Sequence, residues 1–445
     1  MKLVPLLAHS SLDDIFAWRP DGPVTVRHYL ADAAALADCL PPGHHMLNVC
    51  HDRYRFTVGL AAGLLGGRTS LQPSSQAAAT LRQIAAECPD VCCLCDGDFD
   101  SLGLPRLDFP SLAAVDPEKV VKIPTIPAAH PAIQVYTSGS TGQPVPYRKS
   151  WGSLVSNACA EARRLGVAGH AIVGTVPAQH MYGFESTVLL AMHGNAPFWS
   201  GKPFYPQDIV AALAAVPQPR LLVTTPFHLT ALLSADLELP TVDLLLSATA
   251  PLSGQLAAQA EARFKAPLLE IYGCTETGQI ASRRTTAGPA WQLLDDIRLE
   301  QEEGRTFASG GHVEGREALS DVIEILADGR FLLHGRDADM VNIAGKRTSL
   351  DYLNHQLTAI SGVRDAAFFL PDQGPADAIT RLCAFVVAPE LSARQILQAL
   401  RQRIDPVFQP RPLLLLDALP RNSTGKLPRE RLQVLYAEQM HNASR

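Results

Sequence analysis

The sequence predicts an α/β protein in which a large N-terminal domain of stacked, mostly parallel sheets and helices precedes a small α+β domain. Three observations lead there. Apolar strand-like runs alternate with helical stretches along most of the chain. After about residue 336 the texture changes and a shorter unit follows. A length of 445 residues, 47% of them hydrophobic, exceeds what one ordinary core holds.

In the large domain, strands are expected at 133–136, 171–176, 220–224, 244–247 and 268–272. Helices are expected between them at 153–165, 206–215 and 253–264. The glycine-rich apolar stretch 56–67 reads as a buried helix, too short to span a bilayer. The Pro-rich stretch 123–131 reads as a loop. The second domain is expected over 336–445, after 1–335, with helices at 350–360 and 392–403 and strands at 366–370, 381–387 and 413–416. The charged segment 335–339 marks the boundary.

Composition excludes several classes. Charged residues make up 18% and the net charge is −6, which suits neither a disordered chain nor a nucleic-acid surface. The N-terminal apolar run is short, contains Pro5 and soon meets Asp13 and Asp14, so no leader and no membrane span are expected, and the location is expected to be cytoplasmic. Cys92 and Cys95 make a C-x-x-C without a second ligand pair nearby, so 91–95 reads as a buried strand in which cysteine serves as a small hydrophobe. His44, His45, His193, His228, His312 and His334 show no metal-like spacing and read as structural.

Three motifs carry chemistry. Tyr136-Thr137-Ser138-Gly139-Ser140-Thr141-Gly142 follows a predicted strand, and its glycines and hydroxyls suit phosphate oxygens. It lacks the Gly-Lys-Ser/Thr ending of a Walker A loop, and its bland reading is a surface turn. Ile271-Tyr272-Gly273-Cys274-Thr275-Glu276 ends another strand, where ligands bind in such sheets. There Tyr272 could stack on a purine, Thr275 could hold a phosphate and Glu276 could hold Mg²⁺. Lys426, after the turn Ser423-Thr424-Gly425, could enter a site as a point charge, or simply belong to a solvated basic loop.

Together these motifs resemble those of the ANL superfamily of adenylate-forming enzymes: acyl-CoA synthetases, carrier-protein-loading adenylation domains and firefly luciferase. Four further segments resemble it in order: 177–183 around His180, the adenine-side loop 247–252, Ser320-Asp321 with 328–330, and the hinge 335–347. The resemblance spans about residues 45 to 435. It implies ATP- and Mg²⁺-dependent activation of a small carboxylic acid as its acyl-AMP. A thiol of CoA or of a phosphopantetheinylated acyl carrier protein then takes the acyl group, while the small domain moves. Under it, Thr137, Ser138, Gly139, Ser140, Thr141 and Gly142 hold the β- and γ-phosphates, with Thr137 also near the metal. Thr249, Ala250, Pro251, Tyr272 and Gly273 surround adenine. Thr275 contacts the α-phosphate, Glu276 ligates Mg²⁺, Asp321 binds ribose and Arg336 sits at the hinge. Lys426 bridges the attacking carboxylate and the nucleotide. His180 lines the acyl pocket, although by its own chemistry it reads as a packed histidine.

The sequence departs from the pattern at three places. Val145 stands where the phosphate loop usually carries lysine, leaving Arg148 or Lys149 as its replacement. The usual hinge residue falls on Ala338, and Ala248 and Thr249 replace paired glycines. The loop Gly142-Gln143-Pro144 through Lys149-Ser150-Trp151 resembles that of compact members in aryl-polyene and xanthomonadin pigment clusters, which load a hydroxybenzoate onto an acyl carrier protein. A fatty acyl-CoA synthetase, an acyl-AMP ligase without thiolation and a non-catalytic nucleotide binder stay open as alternatives.

Overall fold

Two large sheets, both mostly parallel, form the bulk of the protein in a computed structural model. The structure describes residues 2–73, 78–112, 116–138, 144–336, 340–343, 346–371, 381–422 and 427–443. The first sheet has six strands, running from Pro144–Ser150 through Pro131–Ser138, Thr69–Gln72, His45–Asn48 and Val91–Cys95 to Arg106–Asp108. Only its first pair is antiparallel. The second has nine strands, with a parallel centre of Ala171–Gly174, Arg220–Thr224, Leu244–Ser247 and Leu268–Cys274. The first three of these are short runs rich in Leu, Val and Ile buried on both faces, as expected where helices cover a parallel sheet.

The helix Arg53–Leu65 is buried along nearly all its length and packs between the sheets, joining residues from both into one apolar core. Val91–Cys95 is a wholly buried strand, so its three cysteines are core residues. The nominal loop 123–131 contains a short strand, Thr125–Pro127, that pairs with Leu3–Pro5; its prolines are tolerated because this is a small two-stranded edge sheet. An antiparallel meander, Ile297–Glu302, Arg305–Gly310 and Arg316–Leu319, follows the second sheet, and the hairpin Asp321–Ile325 with Phe331–Arg336 comes next.

Beyond residue 341 the buried apolar residues gather in two clusters drawn only from this part of the chain. One packs the helices Leu350–Thr358 and Ala393–Leu400 on the sheet Asp365–Phe369, Cys383–Val387 and Leu413–Leu415. On the other face lie Leu432, Leu435 and Tyr436 of the helix Arg429–Ala443. Among the described residues no helix is long and apolar enough to cross a membrane.

Candidate active site

The strand Leu268–Cys274 delivers Tyr272 to its carboxyl end, and the chain returns antiparallel through Gly278–Arg283. Gly273 is required at this crossing, because a Cβ there would collide with the Gly278 carbonyl. The connecting turn holds Thr275 and Glu276 and is closed by Thr277, whose hydroxyl accepts from the Cys274 amide at 3.3 Å. From the first sheet, Lys149 reaches across and its Nζ donates to the Glu276 carbonyl at 2.7 Å. Strand alternation points Arg148 the other way, where its Nε donates to Gln134 at 2.9 Å. Of the two candidate replacement cations, Lys149 is the one that touches this turn.

Tyr272 donates through its hydroxyl to Asp321 Oδ2 at 2.7 Å, joining two residues that are 49 apart in sequence. Its ring lies 5.6 Å from both Trp291 and Phe331, and the Arg283 guanidinium covers the Trp291 ring at 4.4 Å. Asp321 in turn pairs through the backbone with Arg336 at the end of the hairpin. This makes an aromatic shelf with a carboxylate at its edge.

Across the cleft, His180 caps the helical segment that begins at Met181. The fully buried Arg53 braces the approach to it, donating to the carbonyls of Gly174 (3.2 Å) and Val176 (2.7 Å) and to the Thr187 hydroxyl (3.1 Å). Thr249 has φ of 78°, a left-handed conformation that costs a β-branched residue on the order of 1–2 kcal/mol. Strain of that kind gathers where a site holds the backbone in place.

These residues meet in one cleft of about 2210 Å³, larger than an ordinary small-molecule pocket and with room for two substrates together. It is lined by His180, Thr249, Ala250, Pro251, Tyr272, Gly273, Thr275, Glu276 and Asp321, all singled out in the sequence. Gly139, Ser140, Thr141, Gly142 and Lys426 lie outside the described residues, as does Ala338. Thr137 and Ser138 belong to the strand Pro131–Ser138 and Arg336 to Phe331–Arg336, but their side chains are not described. Among the described residues, no three His, Cys, Asp or Glu side chains group as metal ligands would.

Sequence reasoning missed a buried polar layer behind the cleft wall. Glu161, Glu185, Asn157, Gln279 and His312 all lie within the protein. Burial lifts the Glu185 carboxyl to about 8 and that of Glu161 to about 7, and lowers His312 to about 4. The available signal was a single glutamate within the otherwise weakly polar run 181–192.

Glu161 holds its proton more tightly folded than unfolded. Its contribution to stability is therefore full below its ordinary value of 4.5 and is lost as pH rises through about 7. Glu161→Gln removes that loss. The variant is expected to gain on the wild type by roughly 3 kcal/mol between pH 4.5 and 8, because each tenfold change in proton affinity is worth about 1.4 kcal/mol. Urea midpoints measured across that range check it, and parallel stability curves for the two proteins would refute it.

Residues 44–308 match the family described as AMP-binding enzyme. The 4-coumarate–CoA ligase of Rhodobacter capsulatus is 31% identical over 302 residues, covering 65% of this chain and 73% of that protein. The 4-coumarate–CoA ligase of Halorhodospira halophila is 28% identical over 311 residues, with coverages of 65% and 73%. Among solved structures, the o-succinylbenzoate CoA synthetase MenE of Bacillus subtilis, in complex with its acyl-adenylate intermediate, has the same fold, with a TM-score of 0.81 at 18% identity over 97% of this chain and 99% of that one.

Proposed function

Because the chain belongs to the family of AMP-binding enzymes and is an AMP-forming acid–thiol ligase, we propose that it activates an aromatic acid such as a hydroxybenzoate and passes it to the phosphopantetheine thiol of an acyl carrier protein or of CoA. The observation that carries the reading is the Tyr272–Asp321 hydrogen bond of 2.7 Å beside Thr275 and Glu276. It unites a stacking surface for a purine, an acceptor for ribose hydroxyls and a phosphate-side turn on one wall. The similarity to two 4-coumarate–CoA ligases, which act on a hydroxylated aromatic acid, supports the aromatic class. The sequence pattern from Gly142-Gln143-Pro144 through Lys149 and Trp151, which resembles that of compact carrier-protein-loading members, supports the carrier protein.

In this reading the substrate carboxylate attacks the α-phosphorus of ATP and pyrophosphate leaves. The thiol then attacks the acyl carbon and AMP leaves. Tyr272 bears the adenine beside Thr249, Ala250 and Pro251, Asp321 takes the ribose hydroxyls and Thr275 the α-phosphate. Thr137 through Gly142 embrace the outer phosphates. Glu276 and Thr137 offer hard oxygens that suit Mg²⁺, which would neutralise phosphate charge when bound. Residues 336–445, with Arg336 at the hinge, form the mobile unit that brings Lys426 in for the first step and withdraws it for the second.

The acceptor is tested by supplying an active aromatic acid, ATP and Mg²⁺ with either CoA or a holo acyl carrier protein. Thioester on either thiol is the expected result, and release of free acyl-AMP with neither would contradict the second step.

A further inference from the structure

Both flanks of the segment 423–426 are tied to one strand, Asp365–Phe369. The segment itself, with Lys426, lies outside the described residues, and the chain on either side of it is described. On the incoming side, Leu419 is buried in one apolar cluster with Ala367 and Phe369. Two residues on, Arg421 grips Asp365 with a fork, its Nε donating to Oδ2 at 2.8 Å and its Nη2 to Oδ1 at 2.7 Å. Asn422, next in the chain, already lines the cleft. On the outgoing side, Leu427 packs against the same apolar cluster. Arg429 donates to the Leu370 carbonyl at 3.0 Å, and its guanidinium lies over the Phe369 ring at 5.3 Å. Asp365, Ala367 and Phe369 share one face of their strand, because successive side chains alternate. The two arginines therefore hold the flanks at opposite ends of that face, roughly 13 Å apart for four strand residues. Two separated anchors fix the direction in which the chain leaves the strand, where a single one would leave a pivot.

We infer that the Arg421–Asp365 pair is a positioning device for adenylation: it fixes where the flank leading to Lys426 enters the cleft, and so where the Lys426 ammonium meets the reacting groups. This rests on the role proposed for Lys426 above and deepens it. Neither Arg421 nor Asp365 is among the described residues that line the cleft, so the pair acts through the chain it holds. A planar fork suits that task. Two parallel hydrogen bonds fix direction as well as distance, which the point charge of a lysine does not. With side chains 26% and 28% exposed, the pair is open enough to water to add little to stability, so removing it separates placement from folding.

The test measures both half-reactions of the full chain with an acid that it activates: pyrophosphate exchange for adenylation, and thioester formation from supplied acyl-AMP. Arg421→Ala and Asp365→Ala are each expected to lower the adenylation kcat by on the order of tenfold to a hundredfold, the cost of misplacing a reacting group by about 1 Å, with little change in KM for ATP. Thiolation should stay close to the wild-type rate. The double variant should lose no more than either single one, because the same contact is broken in all three. Arg421→Lys, which restores the charge without the fork, should recover part of the loss. In the Lys426→Ala background, Arg421→Ala should cost nothing further. Thermal melts establish that each variant is folded, and should an alanine variant fail to fold, Asp365→Asn decides in its place. Unchanged adenylation, equal loss in both half-reactions, or a further loss on top of Lys426→Ala overturns the positioning role. A Lys426→Ala variant that adenylates normally would instead overturn the role proposed for Lys426, and the positioning with it.

Discussion

Lys426→Ala is expected to slow acyl-adenylate formation by about two to three decades, the usual cost of removing a charge placed where charge develops in the transition state. Two anions, the carboxylate and the triphosphate, must approach each other in that step. Positive charge is needed most in that step. When the thiol attacks the acyl-AMP, the phosphate has already become a leaving group, and in the proposed mechanism the small unit would have carried the lysine away. Preformed acyl-AMP supplied to the variant should therefore still be converted to thioester at close to the wild-type rate. Single-turnover measurements of the two halves decide the matter. Equal loss in both would show that Lys426 serves the fold or the binding of AMP and not the first step alone.

Glu276→Gln is expected to lower pyrophosphate exchange by about two decades and to raise the Mg²⁺ concentration needed for half-maximal rate, since an amide is a weaker hard-oxygen donor than a carboxylate. The backbone at Glu276 is fixed by the Lys149 ammonium on its carbonyl, so substituting the side chain leaves the turn in place. That separates the loss of a ligand from the collapse of a loop. A titration of rate against Mg²⁺ provides the check, and a variant with an unchanged Mg²⁺ dependence would remove Glu276 from the metal site.

The parallel core was legible because its strands are uninterrupted apolar runs. The expected strands at 220–224 and 244–247 match the structure at both ends. Helix starts were legible where a serine caps them, as Ser253 does for Gly254–Phe264. The antiparallel meander at 297–319 escaped notice because its strands are partly exposed and carry Glu and Arg on their outer faces, which dilutes the apolar pattern. The helix Arg429–Ala443 escaped although Leu432, Leu435 and Tyr436 mark its packed face, because the exposed Val434 stands among them and blurs the helical period.

The site was legible as motifs, but its connections were not. Nothing local in the sequence says that Tyr272 hydrogen-bonds Asp321, because the link depends on how the hairpin folds back on the second sheet. The choice between Arg148 and Lys149 was open for the same reason. It turns on which face of one strand meets the Glu276 turn. The buried layer of Glu161, Glu185 and Gln279 has no motif at all, since its members come from two helical segments and a strand.

Adenylation of an aromatic acid in this cleft is tested most directly by acid-dependent exchange of radiolabelled pyrophosphate into ATP, run with Mg²⁺ over benzoates, cinnamates and fatty acids of several lengths. Strong exchange confined to aromatic acids is the predicted result. A protein that binds ATP yet shows no exchange with any acid, or exchange only with fatty acids, would contradict it.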